Sequence, residues 1–85
     1  SAMNVSTRRI ASETAIDFAI TARERGRIDQ AVDALRRAIQ HDRQNARLWQ
    51  TLGTVYRADE ESALAVAAFE QAARLAPLDF KPAYG

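Results

Sequence analysis

Shifted by 34 residues against itself, the chain brings small and large apolar side chains into register. Ala31 meets Ala65, Val32 meets Val66, Ala34 meets Ala68 and Ala38 meets Ala72, while Phe18 meets Leu52, Leu35 meets Phe69 and Arg23 meets Arg57. A period of this length confines the fold. Each copy is a supersecondary unit too small to bury its own apolar face, so the copies must stack to make one core. Inside each copy the apolar residues recur at helical spacing: Ala15, Phe18, Ala19 and Ala22, then Ala31, Ala34, Leu35 and Ala38. The second copy repeats this with Leu48, Trp49, Leu52 and Tyr56, then Leu64, Ala65, Ala68, Phe69 and Ala72. Side chains three and four apart share one face of a helix, so the pattern predicts four helices and no strand.

The breaks fall where turn and cap chemistry lies, at Gly26-Arg27, between His41 and Asn45, and around Asp59. Gly26 lets the first helix leave in a left-handed conformation. Asn45 or a neighbour caps the third helix, Asp59 caps the fourth, and Pro77 stops it. The acidic run Asp59-Glu60-Glu61 complements the dipole of the helix that follows, and His41 sits at a helix end. Asp33 with Arg37 and Glu70 with Arg74 are spaced as pairs on a solvated helix face.

A helix-turn-helix period of this length, with Trp49, Leu52-Gly53, Tyr56, Ala65, Phe69, Ala72 and Pro77 at their offsets, resembles the tetratricopeptide repeat. The resemblance covers about 68 residues. It implies an all-α chain of tandem antiparallel hairpins wound as a right-handed superhelix, with repeats at 12–45 and 46–79. Residues 1–11 are read as a cleavage scar (Ser1-Ala2-Met3) followed by an N-terminal extension of the first helix from Val5 to Ala11. Residues 80–85 read as the start of a third repeat, with Phe80, Pro82, Ala83 and Tyr84 in its first helix, or as a tail. The first copy departs from the pattern: it keeps Gly26, Ala31 and Ala38 but has Ala15 for Trp, Ala22 for Tyr, Leu35 for Phe and Arg43 for Pro. In the packing code that the family implies, Gly53, Ala65 and Ala72 are small where backbones cross. Trp49, Leu52, Tyr56 and Phe69 fill the spaces around them, as Phe18 and Leu35 do in the first copy.

Composition narrows the function. Twelve basic and eleven acidic residues give a formal charge of +1, far from the footprint of a nucleic-acid binder. Eleven of the twelve basic residues are Arg, and Lys81 is the one lysine. Without cysteine there is no disulfide or thiolate metal site. No apolar run reaches membrane-span length and no signal-peptide segment opens the chain, so the expectation is a cytoplasmic protein without membrane attachment. One His, no Gly-rich phosphate loop and no nucleophile beside a base leave no catalytic constellation, metal or cofactor site.

The resemblance implies instead a protein-protein interaction module, with a concave surface built from first helices. The first-helix positions free of packing duties map to Glu13, Ile16, Asp17, Ile20, Arg23 and Glu24, and to Arg47, Gln50, Thr51, Thr54 and Arg57. Of these, Arg23, Arg47, Gln50, Thr54 and Arg57 are expected as polar contacts to a protein or peptide partner, and Ile16 and Ile20 as apolar ones. Arg23 and Arg57, one repeat apart, suit a carboxylate or acidic peptide. One branch of the family clamps C-terminal carboxylates with Lys and Asn. The corresponding positions here hold Ile16, Ile20 and Thr51, and only Lys81 fits, which disfavours that ligand. Two further readings stand beside the groove. Two repeats with an uncapped C-terminal end suit self-association into a homo-oligomer, and arrays of this kind also precede the catalytic domains of larger enzymes.

Overall fold

In the computed structural model, residues 4–76 are described, and they form α1 (Val5–Glu24), α2 (Ile28–His41), α3 (Ala46–Ala58) and α4 (Ser62–Leu75), with no strand among them. The readings placed on Ser1-Ala2-Met3, Pro77, Phe80, Lys81, Pro82, Ala83 and Tyr84 lie outside these residues.

The repeat seen in sequence is written again in the hydrogen bonds of the turns. At the end of α1 the Gly26 N–H donates to the Arg23 carbonyl at 3.0 Å, and the Arg27 N–H to the Ala22 carbonyl at 2.7 Å. At the end of α3 the Glu60 N–H donates to the Arg57 carbonyl at 3.0 Å, and the Glu61 N–H to the Tyr56 carbonyl at 2.9 Å. Both are the paired bonds that close a helix through a left-handed residue. Gly26 takes that residue's place with φ 76°, Glu60 with φ 59°. A left-handed backbone crowds Cβ against the following carbonyl, so Glu60 holds its turn at a conformational disadvantage that Gly26 escapes.

The caps divide into two kinds. Asn4 accepts from the Thr7 N–H at 2.8 Å and Asn45 from the Arg47 N–H at 3.0 Å, fastening the starts of α1 and α3. Asp59, expected to cap α4, instead closes α3 as its C-cap, and the N-cap position of α4 is held by Glu61, which makes no side-chain cap bond. Asp59 thus belongs to the end of α3, and the left-handed residue Glu60 stands between it and the N-cap of α4. Arg37 meets Asp33 at 3.1 Å as its spacing predicts. Arg74 does not pair with Glu70; its guanidinium donates to Gln71 Oε1 at 2.7 and 3.0 Å.

Helix α3 is the centre of the packing, touching α1, α2 and α4, while no Cα of α4 comes within 8 Å of α1 or α2. The core is drawn from Ile16, Ala19 and Ala22 of α1, Ala31, Leu35 and Ile39 of α2, Leu48, Leu52 and Val55 of α3, and Ala68 of α4. Ala65 is buried as well, so α4 approaches through small residues, and opposite it Gly53 lies under the Phe69 ring. A Cβ at Gly53 would meet three atoms of that ring within 2.9 Å, so any larger residue there must displace the ring. Trp49, Tyr56 and Ala38 pack partly buried against this core, and Phe69 and Ala72 are half-buried.

Phe18 departs from its expected packing role: it is 48% exposed although its counterpart Leu52 is buried. Leu52 is covered because α3 packs against the first hairpin as well as against its own partner α4. Phe18 points to the outer side of α1 and α2, where none of the described helices packs, beside Ala15, Ala34 and the stem of Arg37.

Candidate interaction site

On α3 the residues Arg47, Gln50, Thr54 and Arg57 follow one another at helical spacing and form a single stripe. Arg47, Gln50 and Arg57 are exposed and Thr54 is half-buried. The hydroxyls on this helix turn inward: Thr54 Oγ1 donates to the Gln50 carbonyl at 3.2 Å and Thr51 Oγ1 to the Arg47 carbonyl at 2.7 Å. Their donors are therefore used by the helix itself, and the stripe offers a ligand guanidinium groups and the Gln50 amide. Arg47 reaches Glu13 of α1 at 3.8 Å, a loose ion pair tying the two first helices together. Arg57 lies with its guanidinium 5.8 Å from the centre of the Phe69 ring, within range of a cation–π contact.

Helix α1 contributes Ile20, 41% exposed, and Arg23, half-buried in its last turn. Arg57 occupies the last turn of α3, so both arginines sit where the negative end of the helix dipole favours a cation. Ile16 requires correction. Expected on the partner-facing side, it is 3% exposed and belongs to the core. Helix α3 packs against α1 and covers that position, whereas Gln50, its counterpart one repeat on, is exposed.

The sequence reading passed over a polar cluster that locks the two hairpins. Ser12, 1% exposed, donates from Oγ to Asp42 Oδ2 at 2.6 Å, and Asn45 Nδ2 donates to the same oxygen at 3.0 Å. One carboxylate thus fastens the middle of α1 to the loop that starts α3. Burial pushes the Asp42 carboxyl upward, but the bonds from Ser12 and Asn45 and the charges of Arg8 and Arg9 outweigh it and hold the group below its ordinary value. The signal was present in outline: Ser12 stands four and seven residues before Ile16 and Ala19, a polar residue on the buried stripe.

One comparison with known protein families bears on the α3–α4 hairpin. Residues 46–77, which hold α3 and α4, match the model of the tetratricopeptide repeat. This hairpin is a tetratricopeptide repeat. The four helices fit two such repeats in tandem, as the recurrence of the turn bonds 34 residues apart also requires. Neither the curated proteins nor the solved structures compared contain a match. Tetratricopeptide repeats are in general protein-protein interaction modules. Among the described residues, no group of His, Cys, Asp and Glu is placed to hold a metal ion, and no helix is long and apolar enough to cross a membrane.

Proposed function

We propose that the chain is a non-catalytic interaction scaffold whose two repeats, 12–45 and 46–79, present the α1–α3 face to an acidic peptide or partner helix. The observation that carries this reading is the register of Arg23 and Arg57. They end adjacent helices one repeat apart, with the exposed Ile20 one turn before Arg23. Arg47, Gln50 and Thr54 extend the same stripe, and Arg47 lies 3.8 Å from Glu13 of α1. Guanidinium groups bind carboxylates through two parallel bonds, which selects an acidic partner over a neutral one. The test is titration with an acidic peptide library of the wild type and of the Arg23→Glu/Arg57→Glu double variant. Binding weakened roughly tenfold by the two charge reversals, with the helical circular dichroism unchanged, supports the reading. Equal binding by both proteins removes it.

A second reading, self-association, is favoured by the asymmetry between equivalent positions. Leu35 is 0% exposed, whereas Phe69 is half-buried and Val66 is 56% exposed, because α3 covers the first hairpin and none of the described helices covers the second. Phe18 is exposed at the opposite end. Stacking the Phe18 end of one copy on the Val66 end of the next would continue the repeat and bury both, a heterologous contact that grows with concentration. Sedimentation across a hundredfold range of protein concentration checks it. A mass that rises and falls back in Val66→Glu supports stacking, and a constant monomer mass excludes it.

A further inference from the structure

Several hollows of the described chain lie away from the α1–α3 face. Three of them follow one another along the cleft between α2 and α4, from Asp29 on α2 to Gln44 in the loop after it, a length of roughly 20 Å. The cleft exists because α2 and α4 both pack on α3 but keep their backbones more than 8 Å apart. Its floor is apolar, formed by Trp49, Leu52 and Tyr56 of α3, and the central hollow measures about 650 Å³. On α3 this floor and the Arg47–Arg57 stripe are about 150° apart at 100° per residue, so the two faces are separate surfaces.

The charge along the cleft is polarised. Carboxylates gather where α2 and α4 begin, at Asp29, Asp33, Asp59 and Glu61. Over the central and far portions the rim carries Arg36, Arg74 and Arg43 with Gln40, Gln44 and Gln71, and no carboxylate among the described residues. Arg37, at the acidic end, is paired with Asp33, whereas Arg36 and Arg43 form no ion pair among the described residues and Arg74 bonds only the neutral Gln71. An apolar trough with positive charge along both walls selects a ligand that is apolar on one side and acidic at its edges.

We propose that the α2–α4 cleft is a second docking surface and that its occupant is an acidic amphipathic helix from a partner protein. Its apolar residues lie on Trp49, Leu52 and Tyr56, and its flanking carboxylates meet Arg36, Arg43 and Arg74.

Trp49 is the single tryptophan of the sequence, so its fluorescence reports on this cleft directly. The experiment titrates the full 85-residue chain with a synthetic helical peptide bearing Leu on one face and Glu on its flanks, and with the same peptide carrying Lys for Glu. The Glu peptide is expected to shift the Trp49 emission saturably. Arg36→Glu/Arg74→Glu, both exposed substitutions, is expected to weaken binding roughly tenfold while leaving the helical circular dichroism unchanged, and Arg23→Glu/Arg57→Glu to leave it within about twofold. Four outcomes overturn the proposal: no saturable shift, equal binding of the Glu and Lys peptides, insensitivity to the Arg36/Arg74 reversal, or an emission that changes with protein concentration alone. The last assigns the cleft to a second copy of the chain.

Discussion

The crossing of α3 and α4 yields a prediction in which two ordinary effects oppose one another at one carbon atom. Replacing Gly53 by Ala in the middle of α3 favours the helix by roughly 0.8–1.0 kcal/mol, because glycine loses more backbone freedom on folding. The new Cβ, however, would stand 2.8 Å from Cδ1 and Cε1 of Phe69 and 2.9 Å from Cζ. Carbon–carbon contact is favourable only from about 3.5 Å, so the ring must retreat by about 0.7 Å. Overpacking of this kind costs about 1–3 kcal/mol. Phe69 is half-buried and some of that strain relaxes outward, so the expected net effect runs from near zero to about 2 kcal/mol of destabilisation. Phe69→Ala removes all three contacting ring atoms, and in that background the same Gly53→Ala substitution should stabilise by about 1 kcal/mol. Urea unfolding of all four proteins, followed by far-ultraviolet circular dichroism, closes the double-mutant cycle. The coupling should reach at least about 1 kcal/mol, with a change of sign between backgrounds. If Gly53→Ala has the same sign and agrees within about 0.5 kcal/mol in both, the close approach to Phe69 is not the reason glycine stands there.

The two left-handed turns respond in opposite directions: Gly26→Ala should destabilise by about 1–2 kcal/mol at φ 76°, and Glu60→Gly should stabilise by a few tenths to about 1 kcal/mol at φ 59°, both read from urea midpoints. Leu35→Ala, at a position with no exposed surface, should cost about 2–5 kcal/mol in the same assay. For Asp42 the sign follows from its lowered folded-state pKa: the unfolded chain takes up the proton first as pH falls, so the carboxylate's contribution is complete above its ordinary value of 3.8 and is lost on acidification through the lower folded value. The stability difference between wild type and Asp42→Asn should therefore be constant near neutrality and shrink below about pH 4, as measured by urea unfolding across pH. Ser12→Ala should narrow that pH-dependent part by removing the bond that most favours the carboxylate.

The correspondence between turns shows why much of the architecture was legible. Helix periodicity and turn chemistry act within a few residues, so Gly26 and Asn45 announce a chain reversal and a cap wherever they stand. A packing code repeated after 34 residues then allows one arrangement of hairpins, and Ala31, Ala65 and Gly53 are small because backbones pass there. What a side chain faces beyond its own hairpin was not legible. Ile16 and Phe18 are both apolar residues on one helix, and α3 decides that the first is buried and the second exposed. The hydrogen bond between Ser12 and Asp42 joins residues thirty apart, and no local rule pairs them.

The amino-acid sequence alone thus determined four helices, their turns and their pairing into repeating hairpins, because each depends on the covalent order of residues and on contacts at short or regular separation. Only the tertiary structure decided which faces remain open, since exposure depends on which neighbour covers a helix. It placed Arg23 and Arg57 at the ends of adjacent helices and opened a trough over Trp49, Leu52 and Tyr56 by holding α2 and α4 apart on a shared support.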